Sequence, residues 1–339
     1  MARHPHLITA ARTFAAAIAG AGLAALLGIP AGALIGAMLA VAVLAATGAP
    51  VGLPAIARDL AFLVIGISLG AGIDAEVLPQ LPGWSVSLAG LAVALVATLA
   101  ASSLLLRRVF GLDRDTAVLA SAPGTMSNAV AIAVEGRGDA PAVMILQLMR
   151  LVILVTLVPP VAAIFGAPAG GATLRAAMPL PALALILAAG LPLGRWAGRR
   201  GISAACLLTG ILLSGMAHAT GLVHGAAPPW VIFLGFTVTG AVLGTRIGAV
   251  DMRAALRLAG AGAVVVGMAL GMSVGFAAIT WALTGFPLGQ ILIAYAPGGV
   301  EAMAAIGLAL GYDPAFVAAH HFARIVILLA LVPAFMRGR

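Results

Sequence analysis

Apolar runs of about 18–25 residues recur along this chain from Leu7 to Phe335. Between them lie short polar stretches that hold nearly all the Arg, Asp and Glu. Runs of that length suit helices that cross a bilayer, so the pattern predicts an all-α integral membrane protein with no large soluble domain. Ten runs read as spans, near 7–28, 29–48, 56–73, 84–106, 142–165, 178–195, 201–220, 229–248, 258–284 and 314–335. Two further segments, 116–135 and 288–309, are apolar but carry Ala-Pro-Gly in their middle, where a spanning helix has no use for a breaker. The chain opens on a basic head and an apolar run, as a secretory signal peptide does; further spans follow at once, so it reads as the first span.

Composition sharpens this reading. With 63% hydrophobic and 8% charged residues, there is too little polar surface to cover a water-soluble globule of 339 residues. All 18 basic residues are Arg, which excludes a Walker A phosphate loop and a Schiff-base lysine. The Arg stand singly or in pairs at span ends, as membrane anchoring requires, and form no stripe for nucleic acid. Cys206 can form no internal disulfide and reads as a packing residue. Neighbours on a helix point about 100° apart, so His320 and His321 do not share a metal, and neither metal nor cofactor is expected.

The chain also contains itself twice. An offset of 174 carries Pro123 onto Pro297, Asp139 onto Asp313, Arg150 onto Arg324 and Pro159 onto Pro333; upstream, "GIPAGALIGAML" matches "GISAACLLTGIL" at an offset of 173. This divides the chain into repeats at 1–168 and 176–339. If the two Ala-Pro-Gly segments cross the membrane, six Arg of the second half, from Arg195 to Arg257, fall outside, against the positive-inside rule. If they turn back, each repeat has five transmembrane helices plus one broken, re-entrant helix, the second repeat is inverted, and both termini are cytoplasmic. The inverted arrangement is the expected one.

A broken helix exposes unpaired N–H and C=O groups at membrane depth, tolerable only where protein or a watery cavity surrounds them. Two breaks at equivalent positions therefore point to a substrate and ion site, built from Pro123, Gly124, Thr125, Ser127 and Asn128 in the first copy and Pro297, Gly298, Gly299 and Glu301 in the second. Glu301 in an apolar segment is a proton carrier or cation ligand. Gln147 precedes Arg150 by three residues and His321 precedes Arg324 by three, so each pair shares a helix face. The two Arg suit either an anionic solute or a fixed pairing with Glu301. Asp59 reads as an interfacial cap. The Gly and Ala of "AGAGAVVVGMALGMSVG" read as close-packing surfaces between helices.

The repeated "PAGALIGAML"-like segment, "LPAIARDLAFLVIGISLGAGI" and the Ala-Pro-Gly unit with its Arg and Pro resemble the AbrB-type membrane protein family of bacteria, over almost the whole chain. The resemblance implies labels that range from regulator of gene expression to ammonia monooxygenase, none explained by these residues. Gly298, Gly299 and Glu301 fit the family's commoner motif; Thr125, Ser127 and Asn128 depart from it, so the halves are chemically unequal. At the level of fold, broken helices in inverted repeats resemble the large cation/proton antiporter and anion transporter superfamily.

The expected function is secondary transport of a small, anionic organic solute coupled to H+ or Na+ in the bacterial inner membrane, not an enzymatic reaction. The alternatives are indirect regulation of gene expression and a monooxygenase, for which six His without a ligand cluster are a poor start. Expected partners are the solute, the coupling ion and lipid; no sequence feature marks a face for a homodimer.

Overall fold

In a computed structural model, the backbone is described for all residues except 1–3, 74–77, 123–125, 166–175, 203, 249, 251 and 338–339, and the side chains of 4–6, 78, 126–128, 252 and 337 are likewise outside the described set. Among the described residues the chain is helical: α1 (His4–Leu26), α2 (Gly32–Ala46), α3 (Ala55–Gly70), α4 (Ser85–Phe110), α5 (Arg114–Ser121), α6 (Met126–Val134), α7 (Ala140–Ile164), α8 (Leu180–Arg199), α9 (Ala205–Ala219), α10 (Pro229–Gly248), α11 (Met252–Arg257), α12 (Ala259–Thr284), α13 (Leu288–Tyr295), α14 (Val300–Ala309) and α15 (Pro314–Arg337). Seven of the described helical segments are long and apolar enough to cross a membrane, as an integral membrane protein requires. Three expected spans are shorter: α2 and α9 have 15 residues and α3 has 16. At ~1.5 Å per residue these cover only ~24 Å.

Local chemistry sets these limits, and it does so in pairs. α2 and α9 each begin after an alanine held in the left-handed region, Ala31 (φ 53°) and Ala204 (φ 55°), which removes the first turn from the apolar run. α4 and α12 each end on a left-handed glycine, Gly111 and Gly285, the residue that adopts this cap without a Cβ clash. The first pair lies 173 residues apart and the second 174, the offsets of the sequence duplication.

Contacts divide the chain into two compact units, each drawing on both halves: Met1–Leu81, Ala167–Ala249 and Ala304–Ala318 in one, and Pro82–Gly166, Val250–Met303 and Ala319–Arg339 in the other. In the first unit α3 packs on α9 and α2 packs on α10, with α1 against α2 and α8 against α9. The first two crossings repeat each other. A Cβ on Gly66 of α3 would strike the carbonyl of Leu207, and one on Gly240 of α10 would strike the carbonyl of Leu34. Asp59 is buried in this unit, where Arg58 reaches Oδ1 at 2.7 Å and Arg195 of α8 reaches Oδ2 at 2.9 Å. It is thus the centre of an ion triad, not an interfacial cap. A carboxylate brought out of water needs such partners.

The second unit packs α4 on α12, and sets α7 against α5, α6, α12 and α13. Here the glycine-rich face of α12 departs from expectation. Gly262 abuts Met149, but a Cβ on Gly267, Gly271 or Gly275 would meet nothing within 4 Å. Close packing lies instead at the α3–α9 and α2–α10 crossings.

Candidate functional site

The two Ala-Pro-Gly segments are both broken. α5 stops at Ser121 and α6 starts at Met126; α13 stops at Tyr295 and α14 starts at Val300. The residue before each proline is driven out of the helical region: Ala122 takes ψ 115° and Ala296 ψ 128°. Each break therefore leaves the last carbonyls of one half-helix and the first amides of the next without intrahelical partners.

The carbonyl ends are closed by two arginines in equivalent register of the duplication, Arg150 and Arg324. In the first copy, Arg150 Nη1 donates to the carbonyls of Ala120 (3.3 Å) and Ser121 (3.1 Å), and Nη2 donates to Ala122 O (3.0 Å). Nη2 also donates to Gln147 Oε1 (3.0 Å), while Gln147 Nε2 donates to Leu119 O (2.6 Å). In the second copy, Arg324 Nη1 donates to Ala296 O and Nη2 to Gly298 O (3.1 Å). Both guanidiniums are buried, 3% and 0% exposed. The chemistry explains the choice of residue: a rigid fork with five donors satisfies several carbonyls at once, and its charge sits at the negative end of a helix dipole. Arg150 reaches Ala122 and Arg324 reaches Ala296 across the same 28 residues.

Both arginine-bearing helices start at an aspartate. Asp139 Oδ1 accepts from Ala142 N (3.1 Å), and Asp313 Oδ1 accepts from Ala315 N (2.9 Å) and Phe316 N (3.3 Å). This is helix N-capping, and it accounts for an aspartate that recurs in the duplication. Asp139→Ala is expected to lower stability by about 1 kcal/mol, with apparent Tm falling and oligomeric state unchanged on size exclusion. An unchanged Tm would remove the cap from the account.

The remaining site candidates fall as follows. Pro123, Gly124 and Thr125 lie outside the described residues; Ser127 and Asn128 sit in the first turn of α6, their side chains outside the described set. Pro297 and Gly298 are buried in the second break, where a Cβ on Gly298 would strike Met303. Gly299 faces Leu151 of α7 and lies close to the Glu301 carboxylate. Glu301 is half-buried in the first turn of α14. Among the described residues no ion pair joins it to Arg324; its charge reaches the guanidinium only at longer range. Arg150 and Arg324 also lie within electrostatic range of each other.

Both breaks keep buried polar groups without a hydrogen-bond partner among the described residues. In the first copy it is the Ser121 hydroxyl, and in the second they are Arg324 Nε and both ring nitrogens of His321. Beside them lies a satisfied network that the sequence did not reveal. His320 Nε2 meets Ser87 Oγ at 2.7 Å, the Tyr295 hydroxyl donates to Ser87 O, and Thr280 Oγ1 lies 2.9 Å from that hydroxyl. It fixes the end of α13 to α4, α12 and α15. The one signal for it was a tyrosine, one of two in the chain, directly before the second Ala-Pro-Gly. Among the described residues, no group of three His, Cys, Asp or Glu is placed to hold a metal ion.

The family described as Transition state regulatory protein AbrB matches this chain over residues 2–79 and 34–338. The chain is also similar to an uncharacterized protein, YhjN, of Bacillus subtilis (strain 168), with 25% identity over 298 residues, spanning 81% of this chain and 76% of that protein.

Proposed function

We propose that this chain, which belongs to the AbrB family, is a secondary transporter of a small anionic organic solute, coupled to H+ or Na+, in the bacterial inner membrane. The observation that carries the reading is the pair of breaks in equivalent register, each closed on its carbonyl side by a buried arginine. With the carbonyls taken, what each break offers a ligand is the amide end of α6 or α14. A helix N-terminus attracts an anion, and the nearby guanidinium charges favour the same sign. The site binds and releases; it performs no bond chemistry. Solute, coupling ion and lipid are the partners of this reading, and nucleic acid is not.

The reading includes inverted repeats at 1–168 and 176–339, with both termini cytoplasmic. Asp59 supports this. It binds Arg58 at the start of α3 and Arg195 near the end of α8, so these two helix ends lie at one level. Re-entrant breaks and an inverted second half place both arginines on the cytoplasmic side, whereas twelve parallel spans would separate them by the membrane.

A thermal-shift screen of the purified full chain against small carboxylates, sulfonates, amino acids and ammonium, with and without Na+, tests the reading. An anionic solute at about 100 times its Kd should stabilise the protein by about 2.7 kcal/mol, and Ser121→Ala should need more of it for the same shift. If only ammonium or a metal ion raises the melting temperature, the anion reading fails.

A further inference from the structure

The second unit carries another group of arginines, away from the breaks. Where α4 ends and α5 begins, Arg107, Arg108 and Arg114 gather round a cavity of about 380 Å³, which Leu104, Leu112 and Asp113 complete. A volume of that size belongs with the sites of small molecules.

The charges in this lining do not cancel. Three guanidiniums stand against one carboxylate, and that carboxylate is already engaged: Asp113 Oδ1 accepts from Thr116 N at 2.9 Å as the N-cap of α5. Among the described residues, the ion pairs join Arg58 and Arg195 to Asp59 and Arg137 to Asp115, so none of the three lining arginines has an acidic side chain of its own. Arg107 and Arg108 are exposed in the last turn of α4. Arg114 is held in place, its Nη2 donating to Phe335 O of α15 at 2.8 Å, which leaves Nη1 and Nε for another acceptor. The negative end of the α4 dipole offsets part of the positive charge. The remainder calls for an anion, since like charges sharing one lining repel each other.

Position decides what kind of anion. α4 belongs to a helical segment long and apolar enough to span a membrane, so its last turn stands at the level of the lipid headgroups. Along the helix below, Val86, Val93 and Leu104 are exposed (45%, 56% and 45%). At about 100° per residue they fall within about 20° of one another, on a single face of α4. An apolar track that ends in guanidiniums matches a phospholipid, and the planar fork of arginine matches two phosphate oxygens at once. The other repeat has no counterpart: the offset of 174 carries Arg107, Arg108 and Arg114 onto Trp281, Ala282 and Leu288. Yet the glycine caps Gly111 and Gly285 recur across that offset, so the turn itself does not need the arginines.

We propose that this cavity binds the phosphate of an anionic phospholipid, with Arg107, Arg108 and Arg114 as its donors and the exposed face of α4 as the track for an acyl chain. The site lies at the opposite end of α5 from the break and stands whether or not the transport reading does.

The test is native mass spectrometry of the full chain, purified in a neutral detergent and titrated with dioleoylphosphatidylglycerol or, at matched concentration, dioleoylphosphatidylcholine. The first phosphatidylglycerol should bind more tightly than phosphatidylcholine. Arg107→Gln with Arg108→Gln should weaken it about 25-fold, roughly fivefold for each arginine near an anionic headgroup. Arg114→Gln, which should weaken it about fivefold, reads the same cavity from α5 if the double variant does not fold. Arg199→Gln with Arg200→Gln, a pair at the end of α8 and outside this lining, should leave the affinity unchanged. Equal affinity for the two lipids, a double variant that binds like the wild type, or an equal loss in the α8 pair would overturn the proposal. Inorganic phosphate is the last arm. A melting temperature that phosphate raises in the wild type but not in the double variant, with no preference for phosphatidylglycerol, would assign the cavity to a free phosphate and remove the lipid.

Discussion

Arg150→Met is expected to lower the stability of the purified protein by about 3–5 kcal/mol, the largest loss of any single side chain at the breaks. Two effects oppose each other. Removing a guanidinium that is 3% exposed relieves the cost of holding a charge away from water. Against this, the carbonyls of Ala120, Ser121 and Ala122 and the Gln147 amide lose their donor together. Each buried acceptor left open costs about 1–3 kcal/mol, and in apolar surroundings no water replaces the donor. The losses outnumber the single gain, so destabilisation wins.

Arg324→Met should follow the same course with a smaller loss, about 2–4 kcal/mol, because only Ala296 O and Gly298 O are orphaned. Arg150→Lys should recover part of the difference, since an ammonium keeps the charge at the dipole but cannot fork across three carbonyls. Apparent melting temperatures should therefore rank wild type, Arg150→Lys, Arg150→Met, from high to low. A methionine variant that melts with the wild type would show that the breaks are held by something other than their arginines.

Much of this arrangement was legible in the sequence, and the reason differs from one element to another. The breaks could be located to the residue because proline and glycine act locally: Pro123 and Pro297 determine what Ala122 and Ala296 can do whatever else surrounds them. The internal offset placed Arg150 and Arg324 in equivalent positions. What it could not supply was their partner. The acceptors are main-chain oxygens, which every residue carries, so no side-chain pattern distinguishes a guanidinium that awaits an anion from one that caps a helix. The aspartates at 139 and 313 were visible as a repeat but not as caps for the same reason.

Longer-range features were harder still. The Ser87–His320 contact joins residues 233 apart, and its equivalent in the first copy would use Leu146, so the duplication offered no help. Asp59 stands near the start of its run, which suggested an interface, and its second partner Arg195 is 136 residues away. Span lengths were overestimated at α2 and α9 because hydropathy continues through Ala31 and Ala204, where the backbone does not.

Glycine shows the same limit, and a pair of substitutions makes it measurable. Gly66→Ala and Gly240→Ala are each expected to destabilise the protein by about 3 kcal/mol, at the upper end of the range for overpacking. The cost is high because the new methyl would meet backbone: the carbonyl of Leu207 for Gly66, and the carbonyl of Leu34 for Gly240. A flexible side chain could turn aside, but a helix axis has to move, and close backbone approach is what small residues provide in a membrane protein. Gly271→Ala on α12 should instead leave stability unchanged or raise it by about 0.5–1 kcal/mol, since a Cβ there meets nothing within 4 Å and alanine is the better helix former. Hydropathy cannot separate these three glycines, because all lie in apolar helices. Their order in a melting series would: Gly271→Ala at or above wild type, with the other two well below and close to each other. Equal losses are required because Gly66 and Gly240 occupy one register and approach the same residue of the opposite repeat, so a loss at one position alone would break the equivalence of the two crossings.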